Sequence, residues 1–312
     1  MQPQTEQILA TLQVIIEPKS GFHLPGHEDG GYICPFVWDA SQNGEFNILN
    51  LSRSQGWLKL TDTDATIKNW QTMDYANNFN SFSLNSSDKT AWADKIETLF
   101  QILSQSLQDM ESFNVKTSSY FPENDSVGLI VGKTTDENWV AVCPTFYKET
   151  NIPQGQISRS PVIHSMSAQT LGENTLNLVS QLQAITSELG IIHLEGDLGG
   201  GYYYSYDYQI VYSAAETKEL AIAQALQASG ALEISQFQNF YPDKEYLQDW
   251  YRNSEAKYAK YDKLNKFLNH AFAKVMMYRF SFWTQENIYI IGETQCGDWA
   301  GLYIESEFVY NP

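Results

Sequence analysis

At 312 residues and 35.5 kDa the chain exceeds what one hydrophobic core ordinarily serves, so two domains are expected. Hydrophobic residues at 43% and aromatics at 14% exclude wholesale disorder, while 19 Lys plus Arg against 37 Asp plus Glu, a formal net charge of -18, speak against direct binding of nucleic acid and for a basic partner. No run approaches the ~20 apolar residues of a membrane span, and Met1 to Ile16 lack the layout of a secretory signal, so a cytoplasmic protein without a membrane partner is expected. Cys34, Cys143 and Cys296 are too widely spaced for a disulfide framework or a zinc site and are read as reduced thiols.

Ile8, Leu12, Ile15 and Ile16 fall at helical spacing, and Gly21 serves as a stop. The loop GFHLPGHEDGGY follows at residues 21 to 32, then an aromatic and β-branched strand from Tyr32 to Trp38. A longer amphipathic helix carries Trp92, Ile96, Leu99, Leu103 and Leu107 on its core face, and a hairpin pairs Val127 to Val131 with Trp139 to Phe146. Residues 151 to 173, with two prolines, four serines and little periodicity, have the composition of a linker, which puts a boundary near residue 155.

The same order then recurs. Leu178, Leu182, Ile185 and Leu189 write a helix that Gly190 stops, the loop GIIHLEGDLGGGY occupies residues 190 to 202, and a strand runs from Tyr202 to Tyr208. A helix from Ala214 to Ala228 is expected to open with a capping box of Ser213 and Glu216. A lysine-rich helix from Ala256 to Val275 reads as a solvated face over the apolar row Tyr258, Tyr261, Leu264, Leu268 and Phe272. A last hairpin joins Ile288 to Ile291 with Leu302 to Val309. Helices on both sides of short strands that meet as hairpins predict two three-layer α-β-α sandwiches of the α/β (α+β) class with mixed sheets, one over residues 1–155 and one over 156–312. Both halves are acidic, at net -10 and -8.

Little in the chain points to catalysis. His23, His27 and Glu28 do not make an HExxH zinc site, because Pro25 and Gly26 forbid the helix that would place two histidines one turn apart. GDLGGG at residues 196 to 201 has the composition of a phosphate loop, but such loops run from strand to helix and this one runs from helix to strand. No GxSxG elbow is present, and no pair among the 37 acids stands out. No enzyme, metal or cofactor is expected.

IYIIGETQCGDWAGLYIE at residues 288 to 305 and QDWYRNSE at 248 to 255 resemble the two signatures of the nuclease A inhibitor family, and the surrounding elements follow that family's order over residues 174 to 309. TEQILATLQ at 5 to 13, GYICPFVWDA at 31 to 40 and VGLIVGKTTDENWVAV at 127 to 142 resemble it more faintly, so the chain is similar to a tandem duplication of an inhibitor domain. The resemblance implies a PR-1-like α-β-α fold and an acidic inhibitor of a magnesium-dependent, sugar-non-specific nuclease, a partner with a basic active-site cleft. In that family an acidic side chain from the first helix-to-strand loop mimics the scissile phosphate. An Asp-Trp pair makes a second contact, and a terminal Thr reaches the nuclease's magnesium.

Carried onto this chain, the resemblance implies partner contacts at Glu28 and Asp29, at Asp249, Trp250 and Tyr251, and at Glu195 and Asp197 in the second half's loop. The determinants are split. The first half has Glu28 but only Asp74-Tyr75 as a loose counterpart of the pair, whereas the second has Asp249-Trp250 but Leu198 opposite Glu28. Val309 stands where the family has the terminal Thr. Either Asp197 takes the role of the loop acid or each half has kept part of an ancestral site, and the second half is favoured as the active one. The alternative is an interaction module that has kept the fold and binds another partner.

Overall fold

The structure is a computed structural model, and the described residues are 2–17, 32–73, 85–116, 126–146, 171–197, 203–240, 254–282 and 285–307. In chain order the elements are α1 (Pro3–Ile16), β1 (Tyr32–Trp38), α2 (Ala40–Asn43), α3 (Ile48–Ser54), β2 (Leu58–Thr61), α4 (Thr63–Thr72) and α5 (Ser86–Ser106). Then come β3 (Gln108–Lys116), β4 (Ser126–Lys133), β5 (Trp139–Pro144), α6 (Glu173–Leu189), β6 (Ile192–Asp197), β7 (Tyr203–Tyr208) and β8 (Ile210–Ala215). The last are α7 (Lys218–Ala228), β9 (Leu232–Gln236), α8 (Ser254–Ala271), β10 (Val275–Phe282), β11 (Gln285–Glu293) and β12 (Trp299–Glu307).

Two compact units form, and they do not follow one another along the chain. Met1–Phe46 and Glu233–Asn311 make an end unit, and Asn47–Leu232 makes a middle unit. The boundary expected near residue 155 lies outside the described residues.

The end unit holds the sheet β1-β12-β11-β10-β9. β1 and β12 are antiparallel, with Ile33 opposite Ile304 and Trp38 opposite Trp299. Alternation along the strands sends Ile33, Ile288, Ile290, Ala300, Leu302 and Ile304 to one face, where they meet Ile8, Leu12 and Ile16 of α1 and Tyr261, Leu264 and Leu268 of α8. The opposite face is aromatic: Trp38, Tyr278 and Trp299 gather around Phe46, whose ring stacks on Trp299 at 4.6 Å. Gly292 of β11 lets α8 end close to the sheet, since a Cβ there would lie 2.5 Å from the Phe272 ring.

The middle unit holds β2-β3-β4-β5-β8, with β5 and β8 antiparallel and Val142 opposite Tyr212. Its element order across the sheet matches that of the end unit. α7 packs on one face, where Cys143 and Ser213 hydrogen-bond carbonyls of that helix, and α4 lies on the other, where the Trp70 indole donates to the Gly128 carbonyl. Helix, sheet and helix layers thus form the expected α/β sandwich. The strand pairs with described register are antiparallel, which differs from the mixed sheets expected, because neighbouring strands are joined as hairpins or returned without parallel crossovers.

Two local expectations need correction. The helix expected from Ala214 begins at Lys218, capped by Thr217, whose side chain accepts the Leu220 N–H. Ser213 lies in β8, because the apolar run from Ile210 is buried on both faces and reads as a strand. Residues 192–197, expected as loop, form β6 paired with β7, consistent with Ile192 and Leu194 alternating with His193 and Glu195.

Candidate partner-binding surface

In each unit the opening helix is pinned to the turn of the late hairpin. Thr5, fully buried in the first turn of α1, donates its hydroxyl to Asp298 Oδ2 at 2.8 Å, and the Ala40 N–H donates to Asp298 Oδ1 at 3.1 Å. In the middle unit Thr175 of α6 donates its hydroxyl to Asn138 Oδ1 at 3.1 Å and its N–H to Asp136 Oδ2 at 2.9 Å. Asp136 therefore caps α6 from a distant turn, where Gly172 offers no side chain to do so. The Thr175 N–H and the Asn174 amide hold the Asp136 carboxyl below its ordinary range.

The two turns share one geometry. Thr134 N–H donates to the Asn138 carbonyl and Thr294 N–H to the Asp298 carbonyl, each at 2.8 Å, and the left-handed position is filled by Glu137 (φ 65°) in one and Gly297 (φ 83°) in the other.

A lysine on each long helix then seats the end of the opening helix. Lys260 of α8 donates to the Ile16 carbonyl at 2.6 Å, and Lys95 of α5 donates to the Glu188 carbonyl near the end of α6. Each cation satisfies a carbonyl that a helix terminus leaves open and sits at the negative end of the helix dipole. Burial lowers the Lys260 pKa. The lysine row of α8 is therefore not uniformly a solvated face: Lys263 and Lys266 are exposed, whereas Lys260 is turned inward to α1.

Five residues along α8, Asn265 reads both backbone groups of Phe240, accepting its N–H at 2.7 Å and donating to its carbonyl at 3.1 Å. Phe240 is buried against Phe237 and Tyr261. One helix thus fixes Ile16, where the chain leaves α1 for residues 18–31, and Phe240, where it leaves for residues 241–253. The sequence showed Lys260 only as one of a lysine row read as a solvated face and gave no signal for Asn265.

Of the site residues expected, Glu28, Asp29, Asp249, Trp250 and Tyr251 lie outside the described residues, as do His23, His27, Leu198 and Val309. Glu195 and Asp197 lie in β6 of the middle unit, their Cα positions opposite Ser205 and Tyr203. Among the described residues no group of three or more His, Cys, Asp or Glu side chains could hold a metal, no helix is long and apolar enough to cross a membrane, and no cysteine is in a disulfide.

Residues 177–306 match the nuclease A inhibitor-like protein family. The match begins inside α6 and ends in β12, so it covers most of the second half and draws on both compact units: 177–232 fall in the middle unit and 233–306 in the end unit. No curated protein matches the chain.

Proposed function

We propose that the chain is an acidic protein inhibitor that binds and blocks a magnesium-dependent, sugar-non-specific nuclease, acting as a protein partner without catalysis or cofactor of its own, and that it arose by tandem duplication of the inhibitor domain. The match of residues 177–306 to the nuclease A inhibitor-like family carries the first part. The duplication is supported by the common strand order of the two sheets, the matching hairpin turns, and the lysine that seats each opening helix.

The charge fits such a partner. The end unit spans 9 Lys plus Arg and 17 Asp plus Glu, and the middle unit 10 and 20, so both are net acidic and would be drawn to a basic cleft at a rate that salt reduces. A carboxylate of the contact set would occupy the place of the scissile phosphate, and Trp250 would bury a large rigid surface at small entropic cost.

The test is cleavage of DNA by a magnesium-dependent non-specific nuclease, titrated with the full chain at two salt concentrations. Stoichiometric inhibition with slower association at higher salt is expected. Undiminished cleavage with folded protein present would refute the proposal in favour of another partner.

A further inference from the structure

We infer that the two halves of the chain have exchanged their opening segments, α1–β1 for α6–β8, so that residues 1–155 and 156–312 are obligate partners of one another, a domain-swapped pair joined in one chain. Such an exchange holds whatever the chain binds. Each opening segment is docked by the other half. β1 of the first half lies on β12 of the second, and β8 of the second lies on β5 of the first. Thr5 of the first half donates to Asp298 of the second, and Thr175 of the second donates to Asn138 of the first. Lys260 of the second half holds the Ile16 carbonyl of the first, and Lys95 of the first holds the Glu188 carbonyl of the second.

The two docking edges are chemically alike. Thr5 and Thr175 are each the third residue of their helix, and Asp298 and Asn138 each stand just before the tryptophan that opens the receiving strand, Trp299 or Trp139. Both edges offer one side-chain anchor and one ladder of backbone donors and acceptors, so the chemistry permits an opening segment to close on its own half. The chain adopts the exchanged pairing instead, and apolar burial goes with it. Ile8, Leu12, Ile16 and Ile33 of the first half share a core with Leu264, Leu268, Leu302 and Ile304 of the second. In the middle unit Tyr208 of the second half lies 5.8 Å from Trp92 of the first, centroid to centroid, and β8 is buried along its whole length. Pulling the halves apart would expose an apolar face and an unpaired strand edge in each unit, so the connection through residues 147–170 is not what holds them together.

Two native cysteines distinguish the pairings. Cys34 of β1 is the register partner of Tyr303, and Cys143 of β5 is that of Val211. Cys143 and Tyr303 hold the same place on their strands, each four residues past the opening tryptophan. If β1 closed on β5 of its own half in the register it keeps on β12, Cys34 would lie opposite Cys143. Antiparallel partners are about 4.5–5.5 Å apart at Cα, a separation that a disulfide accepts. In the exchanged chain Cys34 belongs to the end unit and Cys143 to the middle unit, and both are free thiols.

The test uses the full chain with a specific protease site inserted between Gly155 and Gln156, cut and kept in native buffer. The two fragments should elute together from gel filtration at the size of the uncut chain and in equal amounts. In the cut protein, Tyr303→Cys should form a disulfide with Cys34 when oxidised glutathione is added, joining the fragments on a non-reducing denaturing gel. Val211→Cys with Cys143 reports the reciprocal pairing and serves if Tyr303→Cys does not fold. Peptide mapping of the unaltered chain after the same oxidation should find no disulfide between Cys34 and Cys143. Fragments that elute separately, a disulfide between Cys34 and Cys143, or folded variants in which neither engineered disulfide forms would each overturn the exchange. Inhibition of a nuclease by the uncut chain bears on the inhibitor reading alone, so either can fail while the other stands.

Discussion

Thr5 and Asp298 are 293 positions apart in sequence and 2.8 Å apart in space, joined by a buried hydrogen bond from the threonine hydroxyl to the aspartate carboxylate. The bond ties the first turn of the chain to the last hairpin turn. It has a counterpart in Thr175 and Asn138, so one device fixes the opening helix in each unit.

Thr5→Val keeps the shape and removes the donor. Asp298 is almost fully buried and would keep the Ala40 N–H but lose its hydroxyl partner, a loss of about 1.5–3 kcal/mol for a hydrogen bond to a charged group. Urea unfolding of the full chain followed by end-unit fluorescence should show that decrease. An unchanged midpoint would mean that the bond does not stabilise the docking of α1.

The same docking depends on apolar contact. Leu12 has no exposed surface and lies in the core with Tyr261, Leu264 and Ile304. Leu12→Ala should destabilise the end unit by about 2–5 kcal/mol, the cost of lost burial plus a cavity, measured by the same unfolding curve. Val14→Ala, at an exposed position of the same helix, should cost less than about 0.5 kcal/mol.

The hairpin turns offer a reciprocal pair of changes. Glu137 adopts φ 65°, a left-handed conformation that the corresponding Gly297 adopts without strain. Glu137→Gly should stabilise the middle unit by up to about 1 kcal/mol, offset in small part by loss of the exposed ion pair with Lys133. Gly297→Ala should destabilise the end unit by about 1 kcal/mol. Opposite signs in thermal unfolding are the expected result.

Titration should reveal the buried tyrosines. Burial pushes the Tyr278 phenol from 10.0 up to about 12 and also raises Tyr289 and Tyr303. Because the folded state holds these protons more tightly than the unfolded state, their contribution to stability is complete below pH 10 and falls as pH rises above it, that of Tyr278 being lost through about 12. Absorbance of tyrosinate should lag behind that of free tyrosine until unfolding releases it.

At the acid end the sign reverses. Asp136, held below its ordinary 3.8, contributes stability that is present above that value and lost as pH falls through its lower folded value. Asp136→Ala should lower the Tm of the middle unit at pH 7, by an amount that shrinks as the pH is taken below 3.8.

Much of the fold was legible in local pattern. The strand from Tyr32 to Trp38, the core faces of α5 and α6 and the stop at Gly190 follow from periodicity and glycine chemistry, which act over a few residues. β10 was not anticipated, because Val275–Phe282 lacks a clean apolar/polar alternation and follows a helix without a clear break in the sequence. The inward lysine and asparagine of α8 were illegible for a related reason: periodicity gives a residue's face, not which helix end or loop root lies against it.

The sequence by itself determined most of the long helices and the late hairpins, their order, and the acidity, and it places Glu28 in one half and Asp249 and Trp250 in the other. Only the tertiary structure decided that β1 completes the sheet of β9 to β12 and that β8, rather than the expected strand at Tyr203–Tyr208, completes that of β2 to β5. The edge of a β-hairpin offers the same ladder of backbone donors and acceptors to β1 as to β8, so pairing chemistry accepts either. The choice falls to interactions between residues far apart in sequence, among them the bond from Thr5 to Asp298, the lysine at Ile16, and the packing of Ile33 on Ile304.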